Sequence, residues 1–317
     1  MTAVQTLRPQ APAQERPEAG RRRRRGSLPY GLLLPAVLVL LAGLGYPLVR
    51  QVVLSFQDFG LAQQFGRPAE WIGLANYREL VTDPYLWTVA LRSLAFCFAN
   101  AALTMTLGIA VALLLQRLST PVRILVQVGL LLAWAMPVIA VLTVFEWMFD
   151  AQYGVVNWVL ERLGADYAGH SWLLHPMSFY VVAALVVVWM SVPFVAFTVY
   201  AALTGVPAEM VEASEIDGAG RLQRLVYVVL PTIKPVLLVV GLLQVIWDMR
   251  VFTQIKVLQD AGGITRDTNL LGTYIYRIGI GESRFGMAAA IAMFMLALTA
   301  LLTAPYIRSM LRTEKES

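Results

Sequence analysis

Six apolar runs dominate this chain of 317 residues: Tyr30–Val49, Leu86–Leu115, Ile124–Met148, Phe179–Leu203, Val236–Val251 and Phe285–Ile307. A helix needs roughly 20 apolar residues to cross the hydrocarbon core of a bilayer, and only the fifth run falls clearly short. In lipid every backbone N–H and C=O must find an internal partner, so a spanning segment is a helix or a strand of a closed barrel. These runs are continuously apolar rather than alternating, and their length selects the helix. The expected fold is an all-α integral membrane protein with six transmembrane helices. Composition agrees: 58% of residues are hydrophobic and 14% charged, where a soluble domain carries about 25% charge.

Charge then orients the spans. Of 25 Lys and Arg residues, 15 fall in the first 28 residues, the 116–123 turn, the 205–235 loop and the C-terminus. The 56–85 and 149–178 loops hold only Arg67, Arg78 and Arg162. By the positive-inside rule both termini and the 205–235 loop are expected in the cytoplasm. The block Arg21–Arg25 precedes the first run and reads as a membrane anchor, so a pI of 9.4 does not argue for nucleic acid. Residues 1–28 lack apolar periodicity and are expected as a disordered cytoplasmic tail, followed by a six-helix transmembrane domain over 29–310 and a short cytoplasmic tail over 311–317. A cleavable secretory signal is disfavoured, because the run from Tyr30 is too long and no small-x-small site follows it. Cys97 is the sole cysteine and cannot form an internal disulfide. His170 and His175 share one loop and are expected as solvated side chains rather than metal ligands.

One polar stretch stands out between two apolar runs: Pro207 to Pro235, PAEMVEASEIDGAGRLQRLVYVVLPTIKP. Pro207 suits a first helical turn, and Glu209 and Glu212 place negative charge where a helix N-terminus favours it. Gly218 and Gly220 provide for positive φ or a break. A second amphipathic segment, Leu222 to Val229, ends at Leu230-Pro231. The expectation is helix, glycine turn, helix.

The order Glu212-Ala213-Ser214, Gly218, Val228, Leu230-Pro231 resembles the E-A-A…G…I-x-L-P loop of permease subunits of bacterial ATP-binding-cassette importers. Ser214 stands for the second Ala and Val228 for Ile. The run Glu215-Ile216-Asp217-Gly218-Ala219 looks like the version in the sugar-importer branch, of maltose and glycerol-phosphate type. Further stretches resemble that branch in order along the chain. They are Trp71-Ile72-Gly73-Leu74-Ala75-Asn76-Tyr77, Met136-Pro137 with Trp147, Phe149, Gly154 and Asn157, and Trp189 with Pro193. After the fifth run come Tyr274 to Arg277 and Gly286 to Ala290. Gly262-Gly263-Ile264-Thr265 departs from the usual Gly-Gly-Pro at Ile264. The resemblance implies a bacterial inner-membrane permease that couples to ATPase subunits through Glu212, Ala213, Ser214, Asp217, Gly218, Leu230 and Pro231. It also implies a second related permease, two ATPase subunits and an extracytoplasmic solute-binding protein as partners.

Polar side chains in a spanning helix face protein or water. Gln244, Trp247, Asp248 and Val251 follow i, i+3, i+4, i+7 and share a helix face. An aromatic ring beside amide and carboxylate suits a sugar, whose C–H faces stack while its hydroxyls bond. Val187, Met190, Ser191 and Phe194 form a similar stripe on the fourth run, and the resemblance places the family's sugar pocket on these two helices. The competing readings are an interfacial Trp247, an Asp248–Arg250 pair and plain helix packing. Glu146 and Arg92 lie near outer span ends, and Asn100 is expected to bond to another helix.

No G-x-x-x-x-G-K-[ST], H-E-x-x-H or G-x-S-x-G pattern occurs, which argues against catalysis or a cofactor in this chain. A rival class is a secondary transporter driven by an ion gradient through Asp248 or Glu146. The lack of inverted-repeat halves weighs against it.

Overall fold

The computed structural model describes residues 28–316, with side chains over 32–308. The tail expected over 1–28 lies outside the described residues up to 27, and Leu28 is already helical. The chain divides into two compact units, Met1–Arg50 and Gln51–Ser317. In the first, α1 (Leu28–Leu40) passes through a π turn at Leu41–Gly45 into α2 (Tyr46–Ser55), whose last turn belongs to the second unit. Leu32–Ser55 is long and apolar enough to cross a membrane.

In the second unit, β1 (Gln57–Asp58) and β2 (Glu70–Trp71) pair antiparallel around α3 (Leu61–Gln64), with Gln57 opposite Trp71. Then come α4 (Ala75–Thr82), α5 (Pro84–Arg117), α6 (Thr120–Ala135), α7 (Val138–Met148), α8 (Val155–Arg162) and α9 (Pro176–Thr204). The 205–235 segment holds α10 (Ala208–Ile216), α11 (Arg221–Arg224) and α12 (Leu230–Thr232). It leads to α13 (Lys234–Met249), α14 (Thr253–Asp260), α15 (Thr265–Thr268), α16 (Leu271–Tyr276) and α17 (Phe285–Glu316). The last helix runs past the expected span end at Ile307.

The spine is α5. Asp83 caps it by accepting from the Tyr85 amide at 2.9 Å, and Pro84 sits where no N–H is needed. Its buried stripe is largely small: Ala90, Ser93, Cys97, Ala101, Thr104, Gly108 and Ala112. Lipid tails are as apolar as leucine, so helices here gain little from leaving solvent and associate through close van der Waals contact. Gly108 shows the consequence, because a Cβ there would lie 2.6 Å from Val195 Cβ on α9. On its other side α5 meets α13, where the Cys97 thiol reaches the Val245 carbonyl at 3.5 Å. One buried cluster joins Leu86, Met249, Tyr274 and Met287 at one end of the bundle. Another joins Ala112, Val199, Leu203, Ile233 and Val240 at the end that carries the 205–235 segment. These ends are termed the far face and the loop face.

Two expectations need correction. The third apolar run is not one straight helix: α6 and α7 meet at 98°. Pro137 lacks a donor and forces Met136 out of the helical region, so both residues are extended with ψ of 135° and 136°. The described residues thus hold five helices able to span, or six if the bent pair counts as one. The second expected loop helix does not stop at Leu230-Pro231 either. It continues through a π turn at Leu225–Val229 into α12 and breaks at Ile233, whose ψ is 5°. The π turn shifts the hydrogen-bond ladder by one residue just before Pro231, which cannot donate to it.

The Trp71-to-Tyr77 motif is a clamp on the far face. Trp71 stacks on Phe56 with centroids 5.8 Å apart, and the Tyr77 hydroxyl donates to Ser55 Oγ at 2.7 Å. Buried Asn76 donates from Nδ2 to the Ser55 and Gln57 carbonyls at 3.0 and 3.1 Å. The Gly286 amide donates to the Phe59 carbonyl at 2.9 Å, and a Cβ on Gly286 would collide with the Gln57 carbonyl.

Replacing Gly108 by Val should push α5 and α9 apart at their closest approach and cost about 1–3 kcal/mol of stability. Thermal unfolding in mild detergent measures this, with Leu107→Ala, on the exposed side of α5, as the control that stays near wild type.

Candidate functional site

The loop between α9 and α13 is built by local rules. After Thr204 the chain turns through extended Pro207, with ψ 129°, and α10 begins with Glu209 in its first turn. It ends in a two-bond C-cap: the Gly218 amide donates to Glu215 O at 3.0 Å and the Ala219 amide to Ser214 O at 2.9 Å. That pattern requires a left-handed residue between them, and Gly218 supplies it with φ +81°. Gly220 precedes α11, where its amide is bonded by Gln223 Oε1 at 2.8 Å. The two arms are tied by an ion pair between Arg224 and Glu215.

Every coupling residue expected from sequence falls on this hairpin. Glu212, Ala213, Asp217, Gly218 and Pro231 are exposed, Leu230 is half-buried, and Ser214 is buried with its hydroxyl bonded to Val211 O at 2.6 Å. Glu212 also lines a cleft of about 380 Å³ with Gln116, Leu203, Val206, Val211 and Val229. The sequence reading missed a second feature. Met210, Ile216, Leu222 and Tyr227 are exposed on the hairpin, Ile216 to 87%. Apolar residues at polar helical positions were the available signal. Half-buried Val229 and Leu230 pack on the Val199–Leu203–Ile233 cluster, so the hairpin is seated on α9 and α13 together.

Among the span residues the expected single face divides. Gln244 and Asp248 are both buried, with Gln244 Nε2 donating to both Asp248 oxygens at 3.0 Å. The Asp248 carboxylate is bonded by Gln244 and not paired with Arg250. Trp247 points elsewhere. It is 43% exposed and meets Phe194 of α9 edge-on, with centroids 5.0 Å apart. Met190 and Ser191 are half-buried, whereas Val187 and Val251 lie in an apolar cluster with Phe179 and Ile255. The structure thus brings together Phe194 with Trp247, and Gln244 with Asp248.

Asn100 bonds within its own helix, to Phe96 O at 2.7 Å, and not to another helix as expected. It is fully buried, and its Oδ1, like Thr104 Oγ1 and Gln244 Oε1, takes no hydrogen bond among the described residues. At the far face, Arg92 donates to Arg266 O at 3.1 Å and Tyr85 to the same oxygen at 2.7 Å. Tyr274 donates to Asp83 Oδ2 at 2.9 Å, and burial and that carboxylate hold its phenol above the usual value. Ile264, the departure from Gly-Gly-Pro, has φ −74°, close to the value a proline ring imposes. The backbone at this position is thus one that a proline could also adopt.

Residues 104–307 match the family described as "Binding-protein-dependent transport system inner membrane component". The diacetylchitobiose uptake system permease protein DasB of Streptomyces coelicolor is 43% identical over 295 residues, covering 92% of this chain and 90% of that protein. The sulfoquinovosyl glycerol transport system permease protein SmoG of Agrobacterium fabrum is 33% identical, covering 87% and 88%. Among solved structures, a bacterial ABC transporter involved in the import of the acidic polysaccharide alginate superposes with TM-score 0.76 over 90% of this chain and 95% of that one. At 22% identity it speaks to the fold alone.

Gly218→Val should cost about 1–2 kcal/mol locally, the penalty for an L residue in the left-handed region. Hydrogen exchange should accelerate at the Gly218 and Ala219 amides while α5 and α9 keep wild-type protection.

Proposed function

This chain belongs to the family of binding-protein-dependent transport system inner membrane components, and from that premise we propose how it works as a sugar permease subunit of an ATP-binding-cassette importer. The observation that carries the reading is the α10–α12 hairpin, capped at Gly218, seated on α9 and α13, and presenting Glu212 beside exposed Ile216 and Leu222. A surface of that kind, polar hairpin with apolar tips, suits docking of an ATPase subunit. The residues assigned to that contact are Glu212, Ala213, Ser214, Asp217, Gly218, Leu230 and Pro231. The charge distribution along the sequence supports placing the hairpin in the cytoplasm.

In this mechanism, closure of two ATPase subunits on ATP moves the hairpin, and α9 and α13 move with it. A coupled transition needs an element whose position differs between two states and biases both ends. A second, related permease completes the path, and an extracytoplasmic solute-binding protein delivers the solute to the far face. The solute is a small oligosaccharide. Similarity to a diacetylchitobiose permease over 92% of the chain supports this, as does the aromatic pair Phe194–Trp247 beside half-buried Ser191 and Met190. Gln244 and Asp248 set the polarity behind that pair.

Affinity capture of this chain in mild detergent tests the assignment, with wild type beside a Glu212→Ala, Gly218→Val double variant. An ATPase subunit is expected to copurify with wild type and to fall away from the variant. Equal retention by both would move the docking site off the hairpin. Absence from both, with folded protein, would favour transport driven by an ion gradient.

A further inference from the structure

The far face carries a concavity lined by none of the span residues assigned above to the solute. The chain leaving α7 turns back into α8, and two clefts of about 550 and 350 Å³ open on either side of that turn. They share Trp147, Ala151 and Tyr153 as walls. Trp147 is 61% exposed and Tyr153 79% exposed, while the guanidinium of Arg162 covers one face of the nearby Trp158 at 5.1 Å. Two open aromatic rings therefore stand at the junction of the clefts.

Carboxylates flank them. Asp150 Oδ1 accepts from the Gln152 and Tyr153 amides, each at 2.8 Å, which fixes the group and leaves Oδ2 without a bond among the described residues. Those two amides, Tyr153 first, hold the Asp150 carboxyl below its ordinary value, so it stays an acceptor. Glu146 lines the larger cleft and makes no hydrogen bond or ion pair among the described residues. The walls are held rigidly. Buried Asn157 donates to the carbonyls of Ala151 and His170 at 3.2 and 2.9 Å and accepts from Trp172 Nε1 at 2.7 Å. Gly154 packs so closely that a Cβ would run into the Asp150 backbone.

Open rings beside the fixed Asp150 carboxylate and the unbonded Glu146 carboxyl, in a preformed cleft, make a surface for a ring with one apolar face and several hydroxyls. Anchoring in the bilayer interface would account for an aromatic residue at a span end, but not for a concave site walled by Glu146 and Asp150. We infer that the clefts around Trp147 and Tyr153 form an outer subsite for a pyranose ring, occupied by the sugar before it reaches the spans. The inference rests on the sugar-importer reading above.

The test uses the importer assembly captured through this chain from its native membrane and placed in nanodiscs, with N,N′-diacetylchitobiose as the probe. Saturation-transfer NMR should detect sugar protons on wild type, more weakly on Trp147→Ala and Tyr153→Ala, where only the other sugar contacts of the assembly contribute, and at wild-type strength on Trp147→Phe. Phe65→Ala, an 83% exposed aromatic outside the clefts, should also keep them. In cells, Trp147→Ala should raise the half-saturating sugar concentration by about tenfold, one decade of affinity, with the maximal rate and the amount of protein in the membrane unchanged. Unchanged signals in the alanine variants, or equal loss with Phe65→Ala, would overturn the subsite. So would a change confined to protein abundance, the result expected of a purely anchoring tryptophan. Wild-type sugar uptake by cells lacking the chain altogether would instead remove the sugar-importer reading on which the subsite rests.

Discussion

A backbone in lipid has to close its own hydrogen bonds, and the second unit is arranged around that requirement. Long helices satisfy it, but they then have little hydrophobic reason to associate. The chain answers with small side chains along α5, so that α9 and α13 approach it closely, at Gly108 and at Cys97. Polar groups that cannot be avoided in the interior are kept within one helix where possible. Asn100 bonds to the carbonyl four residues before it, and Gln244 bonds to Asp248 four residues after it. Irregular backbone is held at the ends, where side chains such as Asn76 and Asn157 saturate its carbonyls.

Given a tightly bound bundle, a push at one point is carried through it. The α10–α12 hairpin follows α9 after a three-residue turn and runs through Ile233 into α13, resting on the Val199, Leu203 and Ile233 cluster. Its own shape is held by the Gly218 cap and the Arg224–Glu215 pair. A hairpin that kept its shape while its seat moved would act as a lever. One that flexed at Gly218 would absorb the displacement. The same two helices carry Phe194 and Trp247, which links the hairpin to a candidate solute contact through helices rather than through loops.

Much of this is legible in the sequence, and the failures have physical causes. Apolar run length locates the spans, because their length is set by the bilayer. The hairpin is legible because Gly218 and the polar residues around it have local reasons to be where they are. The bend at Pro137 is not legible from hydropathy, since α6 and α7 are equally apolar; the proline was noted only as part of a family pattern. The shared face of Gln244, Trp247 and Asp248 was correct as helix geometry, yet Asp248 is buried and Trp247 43% exposed. Which part of a face meets a neighbouring helix depends on that neighbour, and periodicity carries no such information. The far-face clamp was readable only as a motif, because Asn76 and Gly286 act on Gln57, whose contacts are long-range.

The central claim is that the capped hairpin transmits force from the ATPase to the spans. Its most direct measurement is the number of ATP molecules hydrolysed per sugar transported by the reconstituted importer, with wild type beside Gly218→Val. The account predicts that the variant still assembles and hydrolyses ATP while transport falls away, so the ratio rises steeply. An unchanged ratio in a variant whose Gly218 cap is demonstrably loosened would contradict it.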